Sequence, residues 1–188
     1  AVVIADTVRR LAAGESKVVL VSASKGGPEV ALALGERLSV EESDHVRAWI
    51  SIGGLLRGSP IADRAHRWPK RWFAKVALWL QGEHSGIIEN LSTPVRRPVF
   101  DRLQLPPDLL TVRYVGVPLS GQLEPAVRGR YRKLRSLGPN DGLTLLADEL
   151  VPGGVVVTDV GLDHYYRDPV IDLKTVALVN VVLEELDP

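Results

Sequence analysis

The sequence predicts an α/β protein: a mostly parallel sheet with helices on both faces. Three observations predict it. Short β-branched runs such as KVVLV have the length of strands buried on both sides. Stretches with helical spacing separate those runs, as in a chain of strand–helix–strand units. The most polar and glycine-rich segments, SASKGG, GGLLRGS and GPNDG, all follow strands. Ligands gather at those carboxyl ends in such sheets.

The elements follow in order. Residues 1–13 read as an amphipathic helix ended by Gly14. Lys17 to Val21 is the first strand. Gly26-Gly27 turn the chain, and Pro28 suits the first turn of a helix that runs to about Leu38. Val46 to Ile52 is the second strand, closed by Gly53-Gly54. Residues 55–110 lack strand character and hold three tryptophans, Trp68, Trp72 and Trp79. Thr111 to Leu119 is the third strand and Gly154 to Val160 the fourth. A helix from Pro169 to about Leu186 ends the chain, with Asp168 as its N-cap.

The composition narrows the function. The 188 residues are enough for one core and hardly two, and 45% are hydrophobic, so the chain folds. Lys+Arg and Asp+Glu number 23 each, which argues against nucleic acid as a main partner. With no cysteine there are no disulfides or thiolate metal sites. No apolar run approaches the roughly 20 residues of a membrane span. There is also no methionine, and the first residue is Ala1.

The first strand ends in VSASKGG. Ser24 has Ser22 two residues before it and Gly26 two after. A side chain presented on a sharp strand-to-helix turn brings those flanks together, so both are expected to be small. Ser22 is the poorer nucleophile, because Leu20 would crowd its turn. The following helix start aims the Lys25 backbone N–H at an oxyanion forming near Ser24. The other reading of the segment is an ordinary strand–turn–helix with serines chosen for turn propensity. The spacing argues against a phosphate loop: SASKGGPE lacks G-x-x-x-x-G-K-[ST].

A serine nucleophile needs a base held by a carboxylate. His45 precedes the second strand, at the wrong edge of the sheet. His66 and His84 lie within 55–110. His164 follows the fourth strand, at the edge where Ser24 is expected. Asp141, in the GPNDG turn after the third strand, is the candidate acid, since such a turn rigidly presents a short carboxylate. Asp159 is the fallback. Asp148 and Glu149 read as solvated.

With Ser24, Asp141 and His164 in that chain order, the sequence resembles the α/β-hydrolase superfamily, in its lipase/esterase branch. VVLVSASKGGPEVALAL resembles the nucleophile strand, elbow and helix. VRAWISIGGLLRGSPIAD resembles the next strand and its loop, and GPNDGLTLLADELVPGGVVVTDVGLDHYYRD the acid loop, last strand and histidine loop. The resemblance implies Ser24 as nucleophile, His164 as general base then acid, and Asp141 as the orienting carboxylate. It implies a small-molecule or lipid ester as substrate, and no metal or organic cofactor. The family has strands before the nucleophile strand, one followed by a loop with a second oxyanion N–H. Nothing before Val18 reads as those strands. The expectation is therefore a missing neighbour, either an N-terminal segment or a partner chain, since the first strand would otherwise be an apolar edge. A hole reduced to one donor costs about 10²–10³ in rate.

Residues 1–188 form one such domain, with 55–110 as a lid or cap insertion. A helix PKRWFAKVALWLQG would place Trp72, Val76 and Trp79 on one face, ringed by Lys70, Arg71 and Lys75. That face would cover the acyl pocket or touch lipid, or simply pack onto the domain with its basic side chains around the edge. Two rival functions remain open: an acyltransferase using the same three residues, and a non-catalytic binding module on the same fold.

Overall fold

The computed structural model describes residues 1–14, 17–67, 90–119 and 121–186. Trp68, Trp72, Trp79 and His84 lie outside the described residues, as does the helix expected from Pro69. The chain begins with helix α1 (Val2–Ala12), then strand β1 (Val18–Ala23) and helix α2 (Gly26–Leu32), which widens into a π-helical turn at Ala33–Arg37. A short helix α3 (Val40–Ser43) leads into β2 (Val46–Ile52). Helices α4 (Pro60–Arg67) and α5 (Thr93–Phe100) precede β3 (Leu110–Val117). Helix α6 (Pro125–Leu134), the short α7 (Leu146–Glu149), β4 (Val155–Val160) and α8 (Ile171–Leu186) complete the order.

The four strands lie in the order β1-β2-β3-β4, every pair parallel. Each strand therefore ends on the same edge, and the segments after β1 and β4 meet there although most of the chain lies between them. One face carries Trp49 with Val8 of α1, Val30 and Leu34 of α2 and its extension, Leu56, and Phe100 of α5. The other carries Ala48, Ile50, Val112 and Tyr114 under Leu178 and Val182 of α8. Helices on both faces are what an all-parallel sheet needs to bury its strands. Burying a side chain of this size stabilises the fold by about 1.5–3 kcal/mol.

Several boundaries differ from the sequence expectation for local reasons. β1 runs on to Ala23, because its ladder with β2 continues to the Ala23–Ile52 pair. α2 starts at Gly26, placing Pro28 where a helix has no use for the backbone N–H. α8 starts at Ile171 rather than Pro169. Asp168 still guards its entry, accepting the Val170 N–H on Oδ1 at 2.9 Å and the Ile171 N–H on its carbonyl at 3.2 Å.

Candidate active site

The turn after β1 is built around Ser24. Its φ is +49°, in the left-handed region that L-residues enter at a cost. Three backbone bonds hold it there. The Ser24 N–H continues the ladder to the Ile52 carbonyl at 2.9 Å. Its own carbonyl accepts the N–H groups of Gly27 at 3.1 Å and Leu55 at 3.2 Å. Lys25 then caps α2, and its residue is exposed.

The small flanks have separate explanations. Ser22 is buried, and its Oγ accepts the indole N–H of Trp49 at 2.9 Å. The hydroxyl that replaces a glycine hydrogen thus satisfies the one polar atom of a fully buried tryptophan. Gly26 is less constrained than expected, since a Cβ there would meet Ser22 Cβ at an ordinary 3.6 Å. The tight position is Gly27, where a Cβ would come within 3.1 Å of both Gly54 Cα and Leu56 Cδ2.

Ser24 Oγ lies 2.9 Å from His164 Nε2. The other ring nitrogen, Nδ1, lies 2.5 Å from Asp141 Oδ2. With Nδ1–H donating to the carboxylate, Nε2 is left as the acceptor for the hydroxyl proton. Asp141 is fully buried, and its second oxygen accepts the N–H groups of Leu143 and Thr144, each at 2.8 Å. The turn is anchored in its turn: Thr144 Oγ1 donates to the Gly58 carbonyl at 2.9 Å and Ser59 Oγ to the Leu143 carbonyl at 2.5 Å. The His164 N–H donates to the Asp141 carbonyl at 3.0 Å, joining the two loops through their backbones.

The structure thus brings Ser24, His164 and Asp141 together. Asp159, the fallback acid, is committed elsewhere. It accepts the Tyr114 hydroxyl and the Lys174 ammonium, each at 2.5 Å. Burial, and then that bond to Asp159, push the Tyr114 phenol up to about 12. The expected solvation of Asp148 and Glu149 is incorrect: both are buried. Asp148 pairs with Arg97 at 2.8 Å, while both carboxyl oxygens of Glu149 lack a hydrogen-bond partner among the described residues. Burial, and then the charges of Asp141 and Asp148, push the Glu149 carboxyl well above its ordinary range.

Two further residues escaped the sequence reading. Arg113 on β3 is buried, its guanidinium 4.1 Å over the Trp49 ring, and desolvation lowers it to about 10. Tyr166, two residues after His164, packs its phenol under the histidine loop against the end of β3. No local signal marks either one, since a single polar residue in a strand or an aromatic in a loop carries no periodicity.

An open parallel sheet, a serine held left-handed after its strand, and histidine and carboxylate loops after later strands define the architecture. The chain has the α/β-hydrolase fold, and the solved structures it matches include lipases and esterases. The lipase BlEst2 of Bacillus licheniformis in mature form superposes with a TM-score of 0.73 at 22% identity, over 95% of this chain and 71% of that one. The same lipase in propeptide form gives 0.69 at 24% identity, over 86% of this chain and 35% of that one. The metagenomic carboxyl esterase MGS0156 gives 0.62 at 22%, over 79% and 45%. This chain therefore spans less than half of the last two structures. At these identities the likeness is one of fold. No family model and no curated protein matches the chain.

Proposed function

We propose that the chain is a serine hydrolase that cleaves carboxylic esters through an acyl-enzyme. The observation that carries the reading is the hydrogen-bonded line Ser24 Oγ, His164 Nε2, His164 Nδ1, Asp141 Oδ2, drawn from three loops on one sheet edge. His164 takes the hydroxyl proton as Ser24 attacks the ester carbonyl. Asp141 holds the ring tautomer and stabilises the imidazolium. The Lys25 backbone N–H stabilises the oxyanion. His164 then protonates the leaving alcohol, and water repeats the cycle to release the acid. An alcohol that outcompetes water would make the same residues an acyltransferase.

The outer edge of β1 pairs with no strand among the described residues, and Val19 and Val21, on one face of that strand, are exposed. That edge supports a neighbouring strand, from another segment or a partner chain, whose loop would supply a second oxyanion donor. Of residues 55–110, Leu56 and Phe100 lie in the core and Gly58 and Ser59 anchor the Asp141 turn, so these parts of the expected lid belong to the body of the domain, and Trp68, Trp72 and Trp79 stay the proposed lid residues.

A fluorophosphonate probe tests the function. Wild type should label and hydrolyse p-nitrophenyl esters, and Ser24→Ala should do neither. Folded wild type that stays unlabelled would favour the rival, a non-catalytic binding module.

A further inference from the structure

We propose that Tyr166 is a positioning residue for His164: its phenol replaces β2 as the partner of the end of β3, and so fixes the loop that carries the imidazole. The inference rests on the triad reading above and adds the device that keeps its histidine in place.

The ladder between β2 and β3 stops where β2 turns away. Ile52 pairs with Tyr114, and the Gly53 N–H makes the last bond, to the Tyr114 carbonyl at 3.1 Å. Gly53 then leaves the sheet with φ +51°. The next donor along β3 is the buried N–H of Gly116, which β2 no longer reaches. The Tyr166 hydroxyl fills that place. It accepts the Gly116 N–H at 2.9 Å and donates to the Tyr114 carbonyl at 3.0 Å. One hydroxyl therefore uses its donor and an acceptor site on a single strand, as a neighbouring backbone would.

Two glycines leave room for this arrangement. A Cβ on Gly53 would lie 2.8 Å from Tyr166 Cε2. A Cβ on Gly116 would lie 2.9 Å from the Leu162 carbonyl oxygen, in the histidine loop itself. The backbone at Tyr166 is left-handed, φ +49°, a conformation that bulky residues keep only when surrounding contacts impose it. Here the contacts are the two hydrogen bonds, the Tyr114 ring 5.5 Å away, and the Tyr166 N–H bonded to the Asp163 carbonyl at 2.9 Å. Asp163 secures the other side, accepting the Glu124 N–H at 2.9 Å and the Tyr165 N–H at 3.0 Å. His164 is the residue suspended between these two anchors. Its contacts to Ser24 and Asp141 tolerate little displacement, and misplacement of about 1 Å can cost about 100-fold in rate.

Tyr166→Phe keeps the ring and removes both hydrogen bonds. Expected for the full chain is a fall in kcat of about 10- to 100-fold on a p-nitrophenyl ester, with KM changed less than about two-fold. The second readout is the His164 Nδ1 proton resonance in histidine-labelled protein, assigned with His164→Gln. It should weaken or vanish in Tyr166→Phe. Unchanged kcat, or an unchanged resonance beside a lowered kcat, would overturn the proposal, even if melting temperature falls. The resonance reads the position of His164 whether or not the protein proves to be a hydrolase, so loss of the triad reading and loss of this one are distinguished. In the unmodified protein the Gly116 amide should exchange slowly, and exchange at the rate of exposed loop amides would also overturn it.

Discussion

Glu149 offers the sharpest test of the electrostatics beneath the site. It is 1% exposed, and neither carboxyl oxygen has a partner among the described residues. Its folded-state pKa is therefore raised above the ordinary 4.5, by burial first and then by the charges of Asp141 and Asp148. The sign follows from proton counting. Above the unfolded pKa the unfolded chain releases this proton, while the folded protein keeps it. Stability from this group is fully present below about pH 4.5 and is lost as pH rises toward the folded pKa. Each pH unit within that window costs about 1.4 kcal/mol. Within that window the loss accumulates at this slope for as long as the folded carboxyl keeps its proton. Glu149→Gln keeps the shape and cannot ionise. Urea unfolding of both proteins, followed by tryptophan fluorescence at several pH values, isolates the effect because every other titrating group cancels. The variant should gain on wild type by about 1.4 kcal/mol per unit as pH rises. Parallel stability curves would refute the reasoning and mean that Glu149 is solvated or paired in solution.

Asp141→Asn should fold and bind substrate, yet lose about 10⁴ in kcat, because the wrong histidine tautomer then faces Ser24; ester hydrolysis at the wild-type rate would exclude Asp141 as the acid. Ser22→Ala strands the Trp49 indole N–H, which is bonded at 2.9 Å, and should cost about 1–3 kcal/mol in denaturant unfolding. Arg113→Met should be neutral or stabilise the fold by about 1–4 kcal/mol in the same assay, since it removes a buried charge. Among the described residues, two nitrogens of that charge, Nε and Nη2, have no hydrogen-bond partner.

The elements that hold the site were legible in the sequence because local chemistry names them. β2 spans Val46–Ile52 as its apolar run predicts, since a strand buried on both faces writes its length in residue type. Ser24 sits at a turn between β-branched and helical spacing. Asp141 sits among Gly, Pro and Asn, and His164 lies between the last strand and the last helix. Parallel strands joined in order then bring these loops to one edge, because every strand ends on the same side. The reading of Asp148 and Glu149 failed for the converse reason. α7 is four residues long, too short to show which face is apolar, and its burial comes from the segment near Arg57 and from β3 packing against it.

What the sequence determined by itself is the order of strands and turns, and through it which hydroxyl, imidazole and carboxyl group share an edge. Only the tertiary structure decided how they are held: Trp49 on Ser22, and Tyr166 on the end of β3. Periodicity and turn propensity act between residues a few positions apart, whereas these contacts join residues 27 and 50 or more apart. They exist only once the sheet has brought its strands into register.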